Sequence, residues 1–373
     1  MENERILAAV ESKREAALAV HRFVHEHPEL SHEEHACARY LCDLLEGAGL
    51  DVERGVAGMD TAFRATLHGS TPGRSVGLVV LYDAVPVFRP DGTIEPVHSC
   101  GHDAIPAGVV ATALAFADLR AEMPGTLVLF GCPADEIPAP LTVERGGGKA
   151  ISAATGLWDG IDAALYAHPE FEDTVFLRSR WMRRDRAMIT GTRSLTGEPE
   201  RPIEAVLAAV EAVRSLPPAD AIVEHIALDG DVEEGGGLVV RIHFLLRADE
   251  ETGLDALAAA LRAALPDAVW SSDPVVCGLR PDAEVTRAVK EAVLALGGEF
   301  VDDPAQLPFG TDFGNVSQQV PSALIGIGRP GGWAFHTDEG AEQFAQDGEE
   351  CGLSIARVLA LTATRLLEPL RPA

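Results

Sequence analysis

Short apolar runs of strand character alternate with helical segments along most of this chain. That alternation limits the fold more than any other feature of the sequence. Runs at Ala62–Leu67 and Val76–Tyr82 follow one another, and those at Thr126–Phe130, Ala163–Tyr166 and Ser322–Ile327 each come after a segment of helical spacing. Strands alternating with helices belong in an α/β fold, a mostly parallel sheet with helices on both faces. An amphipathic first helix is expected to stop at His27-Pro28, because the residue before proline is pushed out of the helical region. Ser31 with Glu34 three residues later has the form of a capping box, which predicts a second helix running to about Glu46. Further helices are expected at Ala104–Leu119, Lys149–Thr155, Asp282–Leu296 and from about Glu342 to Leu367.

Around Arg178 the pattern changes. RSRWMRRDR at 178–186 reads as a basic, irregular stretch: a charged hinge or, alternatively, a set of arginines that clamps an acidic substrate. Strand 187–190, helix 203–215, strands 221–227 and 237–246, and helix 253–265 follow. That β-α-β-β-α order describes a small two-layer α+β unit. DGDVEEGGG at 229–237 reads as an acidic hairpin loop. The expected organisation is a discontinuous catalytic domain, 1–177 and 281–373, into which a smaller domain, 178–280, is inserted. A length of 373 residues is in any case long for a single core.

Charge excludes some partners. The formal net charge is −28, so nucleic acid and anionic membrane surfaces would be repelled. No apolar run reaches the roughly 20 residues of a membrane helix, and the charged N-terminal stretch does not read as a signal peptide. Six cysteines, at 37, 42, 100, 132, 277 and 351, form no CxxC pair. A cytoplasmic protein with mostly buried free thiols is expected.

Polar residues able to bind metal follow the apolar runs repeatedly. Asp83 follows LVVLY, Asp135 and Glu136 follow LVLFGCPA, His168 follows AALYA, and His336 lies beyond the last core run. In an open α/β sheet ligands bind beyond the carboxyl ends of the strands, so these side chains are expected at one site. HSCGHD at 98–103 is the sharpest element. Cys100 and His102 are two residues apart, so an extended chain turns both to one side, and the helix after Asp103 aims its positive end at them, favouring a thiolate. Asp83 and Asp103 are candidates to orient ligand imidazoles. Of the adjacent acids Asp135 and Glu136, one can sit on a metal while the other shuttles a proton. Gly146-Gly-Gly148-Lys149 lacks phosphate-loop spacing and reads as a tight turn into a helix. His21, His25, His27, His32 and His35 read as polar surface on a helix face. No GxSxG element supports a serine nucleophile.

On these residues the chain resembles the aminoacylase/hippurate hydrolase family of metallopeptidases, in particular its amidohydrolase branch with auxin-conjugate and aminobenzoyl-glutamate hydrolases. The matching segments are HEHPELSHEEH at 25–35, YDAVP at 82–86, HSCGHD, CPADE at 132–136, GGGK at 146–149, AHPE at 167–170, GTDFGNVSQQVPS at 310–322 and FHTDE at 335–339. The resemblance implies a catalytic domain around a parallel-rich sheet and an inserted lid domain that forms a homodimer contact. It places Cys100, His102, Glu136, His168 and His336 on metal-ligand positions and Asp135 on the general-base position. Asp312 joins Asp83 and Asp103 as a supporting carboxylate. The implied cofactor is one or two divalent transition ions: zinc, manganese, cobalt or nickel.

Three positions differ from the family pattern. Its base is normally Glu, and Asp135 is shorter by one methylene, about 1.5 Å, where small displacements can cost on the order of 100-fold. Its lid carries a Gly-His-Ala segment whose His stabilises an oxyanion, commonly worth about 3 kcal/mol; the matching stretch, Gly191 to Glu200, has no His. Its Pro-Asn-Val-Ile-Pro loop appears here as Glu234–Val239 without the Asn. The leading expectation is therefore hydrolysis of an amide C–N bond in a small molecule, an N-acyl amino acid or an aryl amide. The alternatives are an aminohydrolase acting on an aromatic or heteroaromatic amine, and a homologue that binds a ligand without turnover. Substrate-binding residues are not identified.

Overall fold

The structure, a computed structural model, describes residues 2–369 except 195, 197–199, 218–219 and 231–234. The chain divides into two compact units: residues 1–177, 279–305 and 315–373 form the first, and 178–278 with 306–314 form the second.

The first unit starts with helices α1 (Asn3–Ser12), α2 (Arg14–Glu26) and α3 (His35–Gly47). Strands β1 (Asp51–Arg54), β2 (Phe63–His68) and β3 (Thr71–Val80) follow, then a small hairpin, β4 (Val85–Phe88) and β5 (Ile94–Val97). Helix α4 (Ala104–Asp118), strand β6 (Pro124–Gly131), helices α5 (Pro140–Arg145) and α6 (Gly148–Ala154), and strands β7 (Ala163–Glu170) and β8 (Thr174–Val175) complete this part. The sheet runs β1-β2-β6-β3-β7, then a later strand, then β8. Its centre is parallel, because β6, β3 and β7 run together, while β1, β2 and β8 pair antiparallel at the edges. The central strands are buried along nearly their whole apolar runs, as expected for strands covered on both faces. Helix α4 is buried on almost every side, which explains why its Ala- and Val-rich sequence lacks a polar face.

The second unit contains β9 (Trp181–Thr192), α7 (Arg201–Ser215), β10 (Ala221–Gly230), β11 (Gly237–Ala248), α8 (Glu251–Ala264) and β12 (Val269–Ser272). Its antiparallel sheet has the order β10-β11-β9-β12. Phe244, Ile242, Val240 and Leu246 alternate inward from β11 and pack with Leu254, Ala258 and Leu261 of α8. The expected irregular stretch at 178–186 is corrected here: from Trp181 onward it is the first half of one continuous strand. Four of its five arginines pair within the unit. Arg180 pairs with Asp220, Arg183 with the buried Asp185, Arg184 with Glu224 and Arg186 with Asp273. Opposite-charge neighbours let a basic segment pair in a sheet, so these four side chains are not held in reserve as a clamp for an acidic substrate. The expected hairpin loop at 229–237 joins β10 and β11, and its residues 231–234 lie outside the described residues.

The chain returns to the first unit through α9 (Ala283–Ala295). The short helix α10 (Phe313–Ser317) precedes β13 (Ser322–Gly328), which is the strand inserted between β7 and β8 and runs parallel to β7. Helix α11 (Asp338–Leu366) ends the fold and packs along α4, where Thr112 Oγ1 reaches the Ala356 carbonyl at 3.3 Å. Among the described residues no helix is long and apolar enough to cross a membrane.

Candidate metal centre

The site grows from the carboxyl ends of β3, β6 and β7 and from the loops before α4 and α11. Just past β3 stands Asp83, fully buried. Its Oδ2 accepts from the backbone N–H groups of Asp135 (2.8 Å) and Glu136 (2.9 Å) and from Ser31 Oγ (2.8 Å). Its Oδ1 lies 2.9 Å from His102 Nδ1. Burial alone would push this carboxyl up, but the His102 charge and the donors around it outweigh burial and hold it well below the ordinary carboxylate range. One side chain thus fixes the loop after β6 and the ring orientation of His102. With Nδ1 engaged, His102 Nε2 points into the site, buried and without a hydrogen-bond partner among the described residues.

Cys100 and His102 leave the chain on either side of Gly101. Gly101 has φ +86°, and a Cβ there would lie 2.5 Å from Pro169 Cγ and 2.8 Å from Phe344 Cε1. Only glycine meets both demands. The Cys100 sulfur lies 3.7 Å from His168 Nε2 and 3.4 Å from His336 Nε2. His168 Nδ1 donates to the Pro169 carbonyl at 2.7 Å and lies 3.3 Å from Glu170 Oε1, which turns Nε2 inward. His336 Nε2 lies 3.7 Å from Glu136 Oε2. His336 itself has a left-handed backbone, φ +59°, as does Ala134 (φ +63°). Such strain in residues with side chains persists where the surroundings hold it.

These side chains fall into two groups. Cys100, His102 and His168 bring one donor atom each to within 4.8 Å of one another, and so do Cys100, Glu136 and His336. The sulfur is common to both. Burial would raise the Cys100 thiol, yet the neighbouring imidazoles of His102, His168 and His336 outweigh it, so the thiolate is favoured. Burial would lower His168, but Cys100 and Glu170 push it up to about 10. Cys100 pushes His336 up to about 9. Glu136 is raised by burial and then by the Cys100 charge. A thiolate, imidazoles and a carboxylate with buried, unpartnered atoms at His102 Nε2 and Glu136 Oε1 form a donor set that fits divalent transition ions.

Asp135 stands apart from both groups. Its Oδ1 pairs with the ammonium of Lys149, which is fully buried, and its Oδ2 lies 3.5 Å from His102 Nε2. Burial would raise Asp135, but Lys149 and then His102 hold it below the ordinary value. Lys149 sits at the start of α6, 5.2 Å above the Tyr166 ring. GGGK is indeed a turn into a helix, but its spacing does not reveal what the lysine does. A lysine among the apolar residues of a short helix is the one signal the sequence offers.

Several expectations need correction. Asp103 does not orient a ligand imidazole: it caps α4 by accepting from Ala104 N and faces His25 Nδ1 at 2.7 Å. Ser31 and Glu34 form no capping box. α3 begins without a side-chain cap, Ser31 donates to Asp83, and the buried Glu34 accepts from Ala134 N at 2.9 Å and Thr61 Oγ1 at 2.8 Å. The N-terminal histidines are not uniformly surface: His21 and His32 are buried, His32 Nε2 meeting the Gly146 carbonyl at 2.9 Å. The two altered segments of the inserted unit, Gly191 to Glu200 and Glu234 to Val239, include residues outside the described ones.

Comparison with known proteins fits this site. Residues 82–363 match the profile of Peptidase family M20/M25/M40. The chain belongs to this family. Over 173 residues it is 30% identical to one of the subunits of p-aminobenzoyl-glutamate hydrolase from Escherichia coli strain K12, covering 43% of this chain and 34% of that protein. It is 24% identical over 344 residues to the N-acetylcysteine deacetylase of Bacillus subtilis strain 168, covering 84% and 88%. A solved dinuclear metal-binding peptidase of the M20 family from Bacillus subtilis superposes with a TM-score of 0.68 at 19% identity, over 96% of this chain and 99% of that one. The chain spans only 34% to 45% of the length of four of the curated relatives it matches.

Two outcomes are expected of this M20 site. Asp83→Ala removes the brace of His102 and of the Asp135–Glu136 loop, so zinc affinity should fall about 10–100-fold in equilibrium dialysis. His168 and His336 carry protons at pH 7 and must lose them to bind an ion. Zinc binding should therefore release protons at pH 7, and its affinity should climb as pH is raised towards 9, both read by calorimetry in buffers of different ionisation enthalpy.

Proposed function

We propose that this chain is a metal-dependent hydrolase that cleaves an amide C–N bond in a small molecule, such as an N-acyl amino acid or an aryl amide. The observation that carries the reading is the pairing of two overlapping donor groups with one acid, Asp135, that belongs to neither. The relatives support it: one is named a hydrolase of p-aminobenzoyl-glutamate, another a deacetylase of N-acetylcysteine, and a fold neighbour is described as dinuclear.

Cys100, His102, Glu136, His168 and His336 would hold one or two ions of zinc, manganese, cobalt or nickel. When bound, such an ion polarises a carbonyl and lowers the pKa of water. The remaining work falls to the chain. Asp135 accepts a proton from the attacking water and returns it to the leaving nitrogen. Lys149 keeps Asp135 ionised and fixes the shorter side chain in place, its buried ammonium being paired with Oδ1. Asp83 keeps His102 and the loop bearing Asp135 in register.

Chelation should abolish turnover of an N-acyl amino acid panel, and added zinc, manganese, cobalt or nickel should restore it; activity indifferent to both treatments would refute the proposal. Asp135→Asn should lower kcat by about 10²–10⁴-fold while bound metal, measured by elemental analysis, stays constant.

The second unit supports a homodimer. β10 is an edge strand of its sheet, with Ile222, Ile226 and Leu228 exposed, and the adjacent α7 exposes Ile203, Leu207 (67% exposed) and Val210. A hydrophobic, unpaired strand edge invites pairing with a second copy of itself. Ile226→Lys combined with Leu207→Glu should convert a dimer to a monomer by light scattering after size-exclusion chromatography. We place the enzyme in the cytoplasm on its six cysteines, which form no disulfide among the described residues.

A further inference from the structure

The histidines of α2 carry a second assignment, independent of the catalytic reading. His21 and His25 are four residues apart, so the helix puts them on one face, one turn apart. Their rings stack with centroids 5.7 Å apart and planes at 16°. Asp103 reaches them from the start of α4, wholly buried. Its Oδ2 lies 2.7 Å from His25 Nδ1 and 3.4 Å from His21 Nε2, while its Oδ1 is occupied by Ala104 N. One donor atom from each of the three residues lies within 4.8 Å of the others. Bonds of about 2.0–2.1 Å to a tetrahedral ion set donors about 3.3 Å apart, so the cluster is already near that spacing.

A second observation points the same way. His21 is 3% exposed, and neither ring nitrogen has a hydrogen-bond partner among the described residues. Its Nε2 lies 3.4 Å from Asp103 Oδ2 without the alignment of a hydrogen bond. Buried polar atoms are nearly always partnered, so a doubly orphaned imidazole aimed at a buried carboxylate has the character of a cation ligand. The fold also makes room for this ring. At position 348 of α11 a Cβ would lie 2.2 Å from His21 Nε2, and the residue there is glycine. The His25 side chain is 29% exposed, which leaves a path for an ion and for a water ligand.

We propose that His21, His25 and Asp103 form a second cation site, distinct from the Cys100 centre, that takes a divalent transition ion. Two imidazoles and one carboxylate without a thiolate suit zinc, cobalt, nickel or copper(II), and disfavour magnesium and calcium, which require oxygen donors. Asp103 directly follows His102, so an ion here would tie α2 to the first turn of α4. Its role would be to steady the loop that presents Cys100 and His102 rather than to touch substrate.

Zinc and cobalt(II) alone are the probes. Full-length protein is stripped, reloaded and analysed for metal. His21→Gln and His25→Asn should each retain about one equivalent of zinc less than wild type. In a Cys100→Ser background, which keeps His102, Glu136, His168 and His336, the visible cobalt(II) bands of nitrogen and oxygen ligation should lose about one ion's intensity when His21→Gln is added. Equal zinc content in wild type and both variants overturns the proposal. So does a loss that also removes the sulfur-to-cobalt charge-transfer band of the Cys100 centre in the single variants, since that would report general disruption. If both variants fail to fold, anomalous scattering at the zinc edge from wild-type crystals decides. A peak between the three side chains sustains the site, and its absence there overturns it.

Discussion

The Asp83 carboxylate is the constraint on which the rest of the site depends. It is buried beyond the end of β3, where an unpaired charge would be costly, and it is tolerated because both oxygens are satisfied. Its donors come from three places in the chain: the segment before α3, two successive amides after β6, and the loop before α4. Satisfying one buried charge therefore sets the relative positions of three loops. The metal-competent atoms inherit their places from that requirement. A site built on a rigid sheet edge and locked by such a hub holds its geometry better than one assembled from independent loops.

Electrostatic balance explains two residues that look out of place. Asp83, Asp135 and the Cys100 thiolate crowd negative charge into a small buried volume, and the imidazoles of His102, His168 and His336 are raised in response. Lys149 adds a fixed positive charge beside Asp135. Glu34, nearby and buried, is pushed up to about 8 by burial and by Asp83, so it is neutral at pH 7. Protonation keeps this acid from adding to the excess while it still braces Ala134 and Thr61. The same logic of compensation operates between Asp103 and His25.

How much of this is legible in the sequence depends on the range of the interaction. The central strands announce themselves through apolar runs, and the placement of Asp83, Asp135, Glu136 and His168 after those runs brings out the site, because strand direction carries that information locally. What escapes are residues whose partners lie far along the chain. Ser31 and Glu34 have the spacing of a local cap, but their partners are Asp83 and Ala134, and nothing local distinguishes the two uses. His21 reads as a surface residue until α11 supplies Gly348 and α4 supplies Asp103. RSRWMRRDR looks irregular because its strand character rests on acids supplied by other segments, Asp220, Glu224 and Asp273. Asp83 and Asp103 both look suited to brace His102, yet helix geometry at the start of α4 turns Asp103 toward α2 and leaves the ligand ring to Asp83.

The parallel pairing of β13 with β7 joins residues roughly 150 positions apart, with the whole second unit between them. During synthesis the second unit is complete before its host can close, because N-terminal segments emerge first. Cys100, His102 and His168 are synthesised early, but His336 only after β13. The nascent chain therefore carries the set without His336 for as long as the insertion takes to emerge. Of the two donor groups, the one that needs His336 is therefore completed last, by chain order alone.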